Sequence, residues 1–209
     1  MSDRAEILIV SGLPRSGTSL MMQMLVNGGV EPLTDEIRAA DPDNPRGYYE
    51  FERVKKIEKD DSWLPGARGK AVKMISQLLY HLPATESYGI VFMRRDLGEV
   101  IASQEKMLAR RGHEIPPHDR IAAASQKHLD ALLAWLHEQP HMRLLEISYN
   151  DLLKDPDIEI PKVCDFVGSS LDRARMKSAI EPGLYRNRDG SSVSQEGSRP
   201  ASGGLGSGG

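Results

Sequence analysis

A single cysteine, Cys164, occurs in the 209 residues, which excludes an intramolecular disulfide and any cysteine metal cluster. It falls in a segment of amphipathic helical spacing, where a small core residue is its expected role. Long apolar runs are also missing. The stretch MSDRAEILIV sets acidic residues before four consecutive apolar ones, and no run approaches the roughly 20 residues of a membrane span. A soluble, cytoplasmic protein is expected. No long basic run offsets the net charge of -3, so nothing global points to nucleic acid or an acidic membrane surface. The six histidines lack zinc-ligand spacing: His113 and His118 lie in a proline-containing loop, His128 and His137 in a long helical stretch. No metal site is expected.

What is present suits one domain. With 39% apolar and 27% charged residues, the chain can bury one core and is too short for two domains of ordinary size. Residues 1–188 form the expected domain. From Asp189 the composition collapses to Ser and Gly and ends SGGLGSGG, which reads as a disordered tail or an engineered remnant over 189–209.

Ile7 to Val10 is a continuous apolar, β-branched-rich run of the kind found in a central parallel strand covered on both faces. Leu20, Met21, Met24 and Leu25 then fall at helical spacing, and Asn27-Gly28-Gly29 supplies a stop. Residues 31–50 hold three prolines and many acids without either periodicity, so a mostly irregular loop is expected, of the length that usually serves function. A charged amphipathic helix is expected from Phe51 to about Asp60. Further strands are expected at 70–75, 89–93 and 143–147, and helices at 97–110, 119–138, 157–167 and 171–180. Alternating strands and helices imply an α/β fold, a mostly parallel central sheet flanked by helices with right-handed crossovers, whose ligands bind at the carboxyl ends of the strands.

The stretch ILIVSGLPRSGTSLMMQML, residues 7–25, carries the first chemical signal. A strand, a glycine turn and a helix start aim successive backbone N–H groups and the helix dipole at one point, which attracts a phosphate. Gly12 and Gly17 have the spacing of G-x-x-x-x-G-K-[ST], but Thr18 stands in the lysine's place. Arg15 supplies a cation instead, and Thr18 and Ser19 offer hydroxyls. A nucleoside triphosphatase needs that lysine on the outer phosphates, so an anion of different shape is expected.

PRSGTSL resembles the 5′-phosphosulfate loop of sulfotransferases that use 3′-phosphoadenosine 5′-phosphosulfate (PAPS), where the pattern is P-[KR]-[SAC]-G-T-[ST]. A second stretch, FMRRDLGEVIASQEKM, resembles the family's 3′-phosphate segment: Arg95 and Ser103 keep the eight-residue spacing, with Glu99 in the acid's place and Leu97 where members often have proline. A third, LLEISYNDLLKDPDIEIPKVCDFVG, is similar to the family's strand and packed-helix run, from which no catalytic residue is taken. The three cover most of residues 7–168 in the family's order. Taken alone, the second segment also has a physical rationale: a guanidinium at a strand end and a hydroxyl two turns into the next helix make a monophosphate site. Arg94 suits a surface salt bridge as well as a ligand contact.

The resemblance implies a P-loop-like, bacterial-type sulfotransferase that moves a sulfuryl group from PAPS to an acceptor hydroxyl or amine and releases 3′-phosphoadenosine 5′-phosphate (PAP), without metal. It implies donor contacts from Arg15, Ser16, Gly17, Thr18, Ser19, Arg95 and Ser103. Arg15 and Lys73, the latter in KAVKMI, are the implied catalytic cations. Ile75 occupies the position of the histidine base of cytosolic members. The base must then come from elsewhere, and bacterial glycolipid and protein-tyrosine sulfotransferases take a glutamate from the loop after the first helix. That loop offers Glu31, Asp35, Glu36 and Glu50; Glu36, 21 residues after Arg15, ranks narrowly ahead of Glu50. Tyr48 and Tyr49 suit stacking on adenine or acceptor, or packing on the core. Arg186 and Arg188 stand where a basic C-terminal segment closes the nucleotide site in the family, or in a frayed terminus. The acceptor, whether small molecule, glycan, lipid or peptide, is left open, as are a P-loop kinase and a non-catalytic nucleotide- or partner-binding module.

Overall fold

The computed structural model describes residues 5–35, 49–110, 112, 117–168 and 170–180. Its sheet has four strands, β1 (Ile7–Gly12), β2 (Ala71–Lys73), β3 (Tyr88–Arg94) and β4 (Met142–Ser148), in the order β2-β1-β3-β4 with every pair parallel. The connections carry α1 (Thr18–Asn27), α2 (Leu97–Arg110) and α3 (His118–His137), and α4 (Tyr149–Lys154), α5 (Pro156–Val167) and α6 (Arg173–Ser178) follow β4.

Strand alternation divides the core in two. Ile7, Ile9, Ile90 and Phe92 face a cluster completed by Leu129, Leu132 and Leu136 of α3 and by Val54, Ile57 and Trp63. Leu8, Val10, Val91 and Met93 face the other cluster, made with α1, α4, α5 and α6. A side-chain period of two therefore places apolar residues on both faces, as a parallel sheet covered by helices requires. In α1, Leu20, Met21, Met22, Met24 and Leu25 are all buried, each contributing about 1.5–3 kcal/mol of apolar burial. Cys164 is a buried core residue beside Met176.

One expected element differs. The segment expected as an α-helix from Phe51 to Asp60 is a 3-10 helix over Glu52–Lys56. Phe51, Val54 and Ile57 are spaced by three, and the bonds Val54 N–H to Phe51 O and Ile57 N–H to Val54 O follow that spacing. Residues three apart eclipse in a 3-10 turn, so all three apolar side chains meet the core there. Short 3-10 helices at Leu64–Ala67 and Ser76–His81 were not expected. The strand expected over 70–75 pairs only over Ala71–Lys73.

Candidate active site

The glycine turn between β1 and α1 is fixed by lack of space. A Cβ on Gly12, at φ 153°, would stand 2.4 Å from Ser16 Oγ and 2.7 Å from the Met93 carbonyl oxygen. Gly17, at φ 101°, precedes α1, and no side chain caps that helix end. The first N–H groups of the ten-residue helix consequently point to the loop mouth without a capping oxygen. Between the glycines Arg15 holds φ 73°, a left-handed conformation that a non-glycine residue adopts at a cost.

Sheet register explains the neighbours. Gly12 pairs with Met93 and Arg94 with Ser148, so the residues just beyond those rungs, Leu13, Arg95 and Tyr149, gather at one edge. The Arg95 guanidinium lies 4.5 Å from the Tyr149 ring centroid. Its Nη1 donates to the Arg15 carbonyl at 3.1 Å and its Nε to Glu99 Oε2 at 2.8 Å. Asp96 accepts the Glu99 N–H at 3.0 Å, which anchors the start of α2. Two turns into that helix the buried Ser103 accepts the Arg15 Nε–H at 3.0 Å. The loop and the β3–α2 segment, joined in sequence only by their resemblance to one site, are thus in direct contact.

Lys73 ends β2, and its ammonium donates to Ser19 Oγ at 3.0 Å. It reaches the first turn of α1 because Val10 is its partner on β1 and both face that helix. Ser16 is 1% exposed, and its hydroxyl has no hydrogen-bond partner among the described residues. A buried polar atom of this kind costs about 1–3 kcal/mol unless something satisfies it. It lies beside a recess also lined by Leu13, Met93, Arg95, Val100 and Leu129. Glycine cradle, uncapped helix start, orphaned hydroxyl and two arginines together suit a phosphate-bearing ligand.

The loop acids separate. Glu31 pairs with Lys70, just before β2, and so sits at the opposite, amino end of the sheet. Asp35 accepts the Glu52 N–H at 2.6 Å. The Glu50 carboxylate lies 3.9 Å from the Lys55 ammonium, and its carbonyl accepts from Thr34. Glu36 and Tyr48 lie outside the described residues, as do His113, Arg186, Arg188 and the tail from 189 onward. Tyr49 packs against the core cluster of α1 and α4–α6. Arg94 takes the salt-bridge option, 2.7 Å from Glu146 on β4. Ile75, in the position discussed for a base, is 47% exposed.

Tyr149 was missed by sequence reasoning. Its ring carbon Cδ2 lies where a Gly17 Cβ would come within 2.3 Å, so the ring stands between the glycine loop and Arg95. The signal available was its place immediately after a strand, at the sheet's carboxyl edge.

Fold and site define a parallel α/β protein whose first strand–loop–helix turn is built around arginine rather than lysine. The chain belongs to the sulfotransferase family, whose model matches residues 51–173, more than half of its length. Among solved structures it is similar to mouse sulfotransferase SULT7A1 complexed with PAP, at TM-score 0.51 and 14% identity over 86% of this chain and 63% of that one. The sulfotransferase domain from the curacin biosynthetic pathway matches with 18% identity and TM-score 0.49 over 86% of this chain and 79% of that one. The corresponding domain of the Synechococcus PCC 7002 olefin synthase gives 16% and 0.49 over 90% and 86%. No curated protein sequence matches the chain. Among the described residues no group of His, Cys, Asp and Glu could hold a metal ion, and no helix is long and apolar enough to cross a membrane.

Proposed function

We propose that this sulfotransferase-family chain transfers a sulfuryl group from PAPS to an acceptor hydroxyl or amine. The observation that carries the reading is the contact of Arg15 with Ser103 and Arg95, which brings the two segments resembling the family's donor motifs together at one sheet edge. A donor with phosphate at one end and phosphosulfate at the other needs two such segments. Bound there, PAPS would supply an activated sulfuryl group on a good leaving group.

The protein's part is electrostatic. The N–H groups of Thr18 and Ser19 at the α1 start, the Ser16 hydroxyl and Arg15 hold the phosphosulfate. Lys73, already directed at Ser19, supports the oxygen that departs with the nucleotide. Arg95 and Ser103 hold the 3′-phosphate; two of the five Arg95 N–H donors are engaged with Glu99 and Arg15, and the others serve the ligand. A loop carboxylate, Glu36 or Glu50, takes the acceptor's proton. No step calls on magnesium.

Calorimetry with PAP in the presence of a chelator tests this reading. Binding is expected, and Arg95→Ala should weaken it about ten- to a hundredfold, as for loss of charge-assisted hydrogen bonds. Failure of the wild-type protein to bind PAP, or equal competition by ATP, would overturn the choice of donor.

A further inference from the structure

Glu99 is an acid placed among cations that are meant for an anion. Its side chain is 12% exposed, and both oxygens are taken: Oε2 by Arg95 Nε and Oε1 by the Asn150 side-chain amide at 3.0 Å. Asn150 comes from α4, next to the Tyr149 ring on which Arg95 lies. A carboxylate here lowers the positive potential that Arg95 offers a phosphate, which on charge alone is unfavourable for binding. Its part-buried, doubly engaged geometry suits a different task.

We propose that Glu99, itself held by Asn150, is a positioning residue that sets the Arg95 guanidinium. With Nε fixed and the plane supported on Tyr149, Nη1 meets the Arg15 carbonyl and keeps Arg15 in its left-handed conformation. Arg15 in turn reaches Ser103. A single chain of contacts, Asn150 to Glu99 to Arg95 to Arg15 to Ser103, therefore joins the segment assigned to the 3′-phosphate with the loop assigned to the sulfuryl group. Both ends of the donor are set by one part-buried acid. This inference rests on the donor reading given above.

Charge damping and positioning predict opposite signs. If Glu99 only weakened Arg95's field, Glu99→Ala and Glu99→Gln would both tighten PAP binding. Positioning predicts that Glu99→Ala weakens it about tenfold, the equivalent of one lost charge-assisted hydrogen bond. Glu99→Gln keeps an oxygen for Arg95 Nε, and its amide can meet a flipped Asn150, so most affinity should be retained. Asn150→Ala, which leaves the Glu99–Arg95 pair in place, should weaken binding by about threefold. Tighter binding by Glu99→Ala, or equal affinity for all variants, overturns the proposal. A ligand-free measurement separates it from the donor reading: hydrogen exchange at Arg95 Nε, followed by nitrogen-edited NMR, should be slow in wild type and Asn150→Ala and fast in Glu99→Ala. Unchanged exchange in Glu99→Ala refutes the clamp whatever the protein binds. Fast exchange there, with no PAP binding by wild type, sinks the donor and leaves the clamp standing.

Discussion

Replacing Gly17 by alanine tests whether the loop is shaped by its own backbone and by Tyr149 together. Two costs can be separated. A residue other than glycine at φ 101° incurs about 1–2 kcal/mol of backbone strain. The new Cβ would also stand 2.3 Å from Tyr149 Cδ2 and 2.9 Å from Cε2, so the ring must retreat by about 1 Å to reach ordinary van der Waals separation. Tyr149 is only 6% exposed, and retreat takes it off the Arg95 guanidinium, at about 1–2 kcal/mol for a desolvated cation–π contact. The sum is about 2–4 kcal/mol, or a fall in Tm of about 5–15 °C for a domain of this size. In a Tyr149→Val background the two closest ring atoms are gone and the 3.2 Å contact to Cγ is the one that persists. There Gly17→Ala should cost the backbone strain alone. A double-mutant cycle in urea reads the coupling directly. A cost below about 1 kcal/mol in the wild-type background, or the same cost in both backgrounds, would show that Tyr149 does not brace the loop.

Lys73→Ala should reduce turnover about 10²–10³-fold, the usual effect of removing one donor to developing charge, while PAP affinity changes little; turnover is read as PAP release against a panel of alcohols, phenols and amines. Under the same assay Glu50→Gln separates the two loop carboxylates: a fall of about 10²–10⁴-fold with PAP affinity kept makes Glu50 the base, and an unchanged rate assigns the role to Glu36. Burial lowers the pKa of His128, whose Nε2 is 2.9 Å from the buried Ser76 hydroxyl. Burial thus disfavours the imidazolium in the folded state relative to the unfolded chain, which protonates near 6.5, so stability present above that pH is lost as pH falls from there through the lower folded pKa. Urea midpoints at pH 7 and pH 5 should differ more in wild type than in His128→Gln, and an equal difference would refute the linkage.

Much of the fold was legible because local signals agreed with one another. The apolar run at residues 7–10, the glycine turn and the helical spacing after it gave β1 and α1, and α2 spans the expected Leu97–Arg110. The segment from Phe51 was misread because charge and polarity suggested an α-helix, whereas the spacing of Phe51, Val54 and Ile57 by three is what the core selected. Arg15, Arg95 and Ser103 could be singled out from motif and strand-end position. Their mutual hydrogen bonds could not, because they depend on parallel pairing between segments about 80 residues apart.

The class of fold, the family resemblance and the candidate site residues could be read from the chain alone, because periodicity, glycine placement and motif spacing are local properties. Tertiary structure decided which of those residues act as a unit. Register across β1, β3 and β4 placed Arg95 over Tyr149, put Tyr149 against Gly17 and brought Asn150 to Glu99. It also sent Glu31 to the far end of the sheet and turned Arg94 to Glu146. Those outcomes are set by which strands are neighbours and by the space left between packed side chains, and neither is written in any short stretch of sequence.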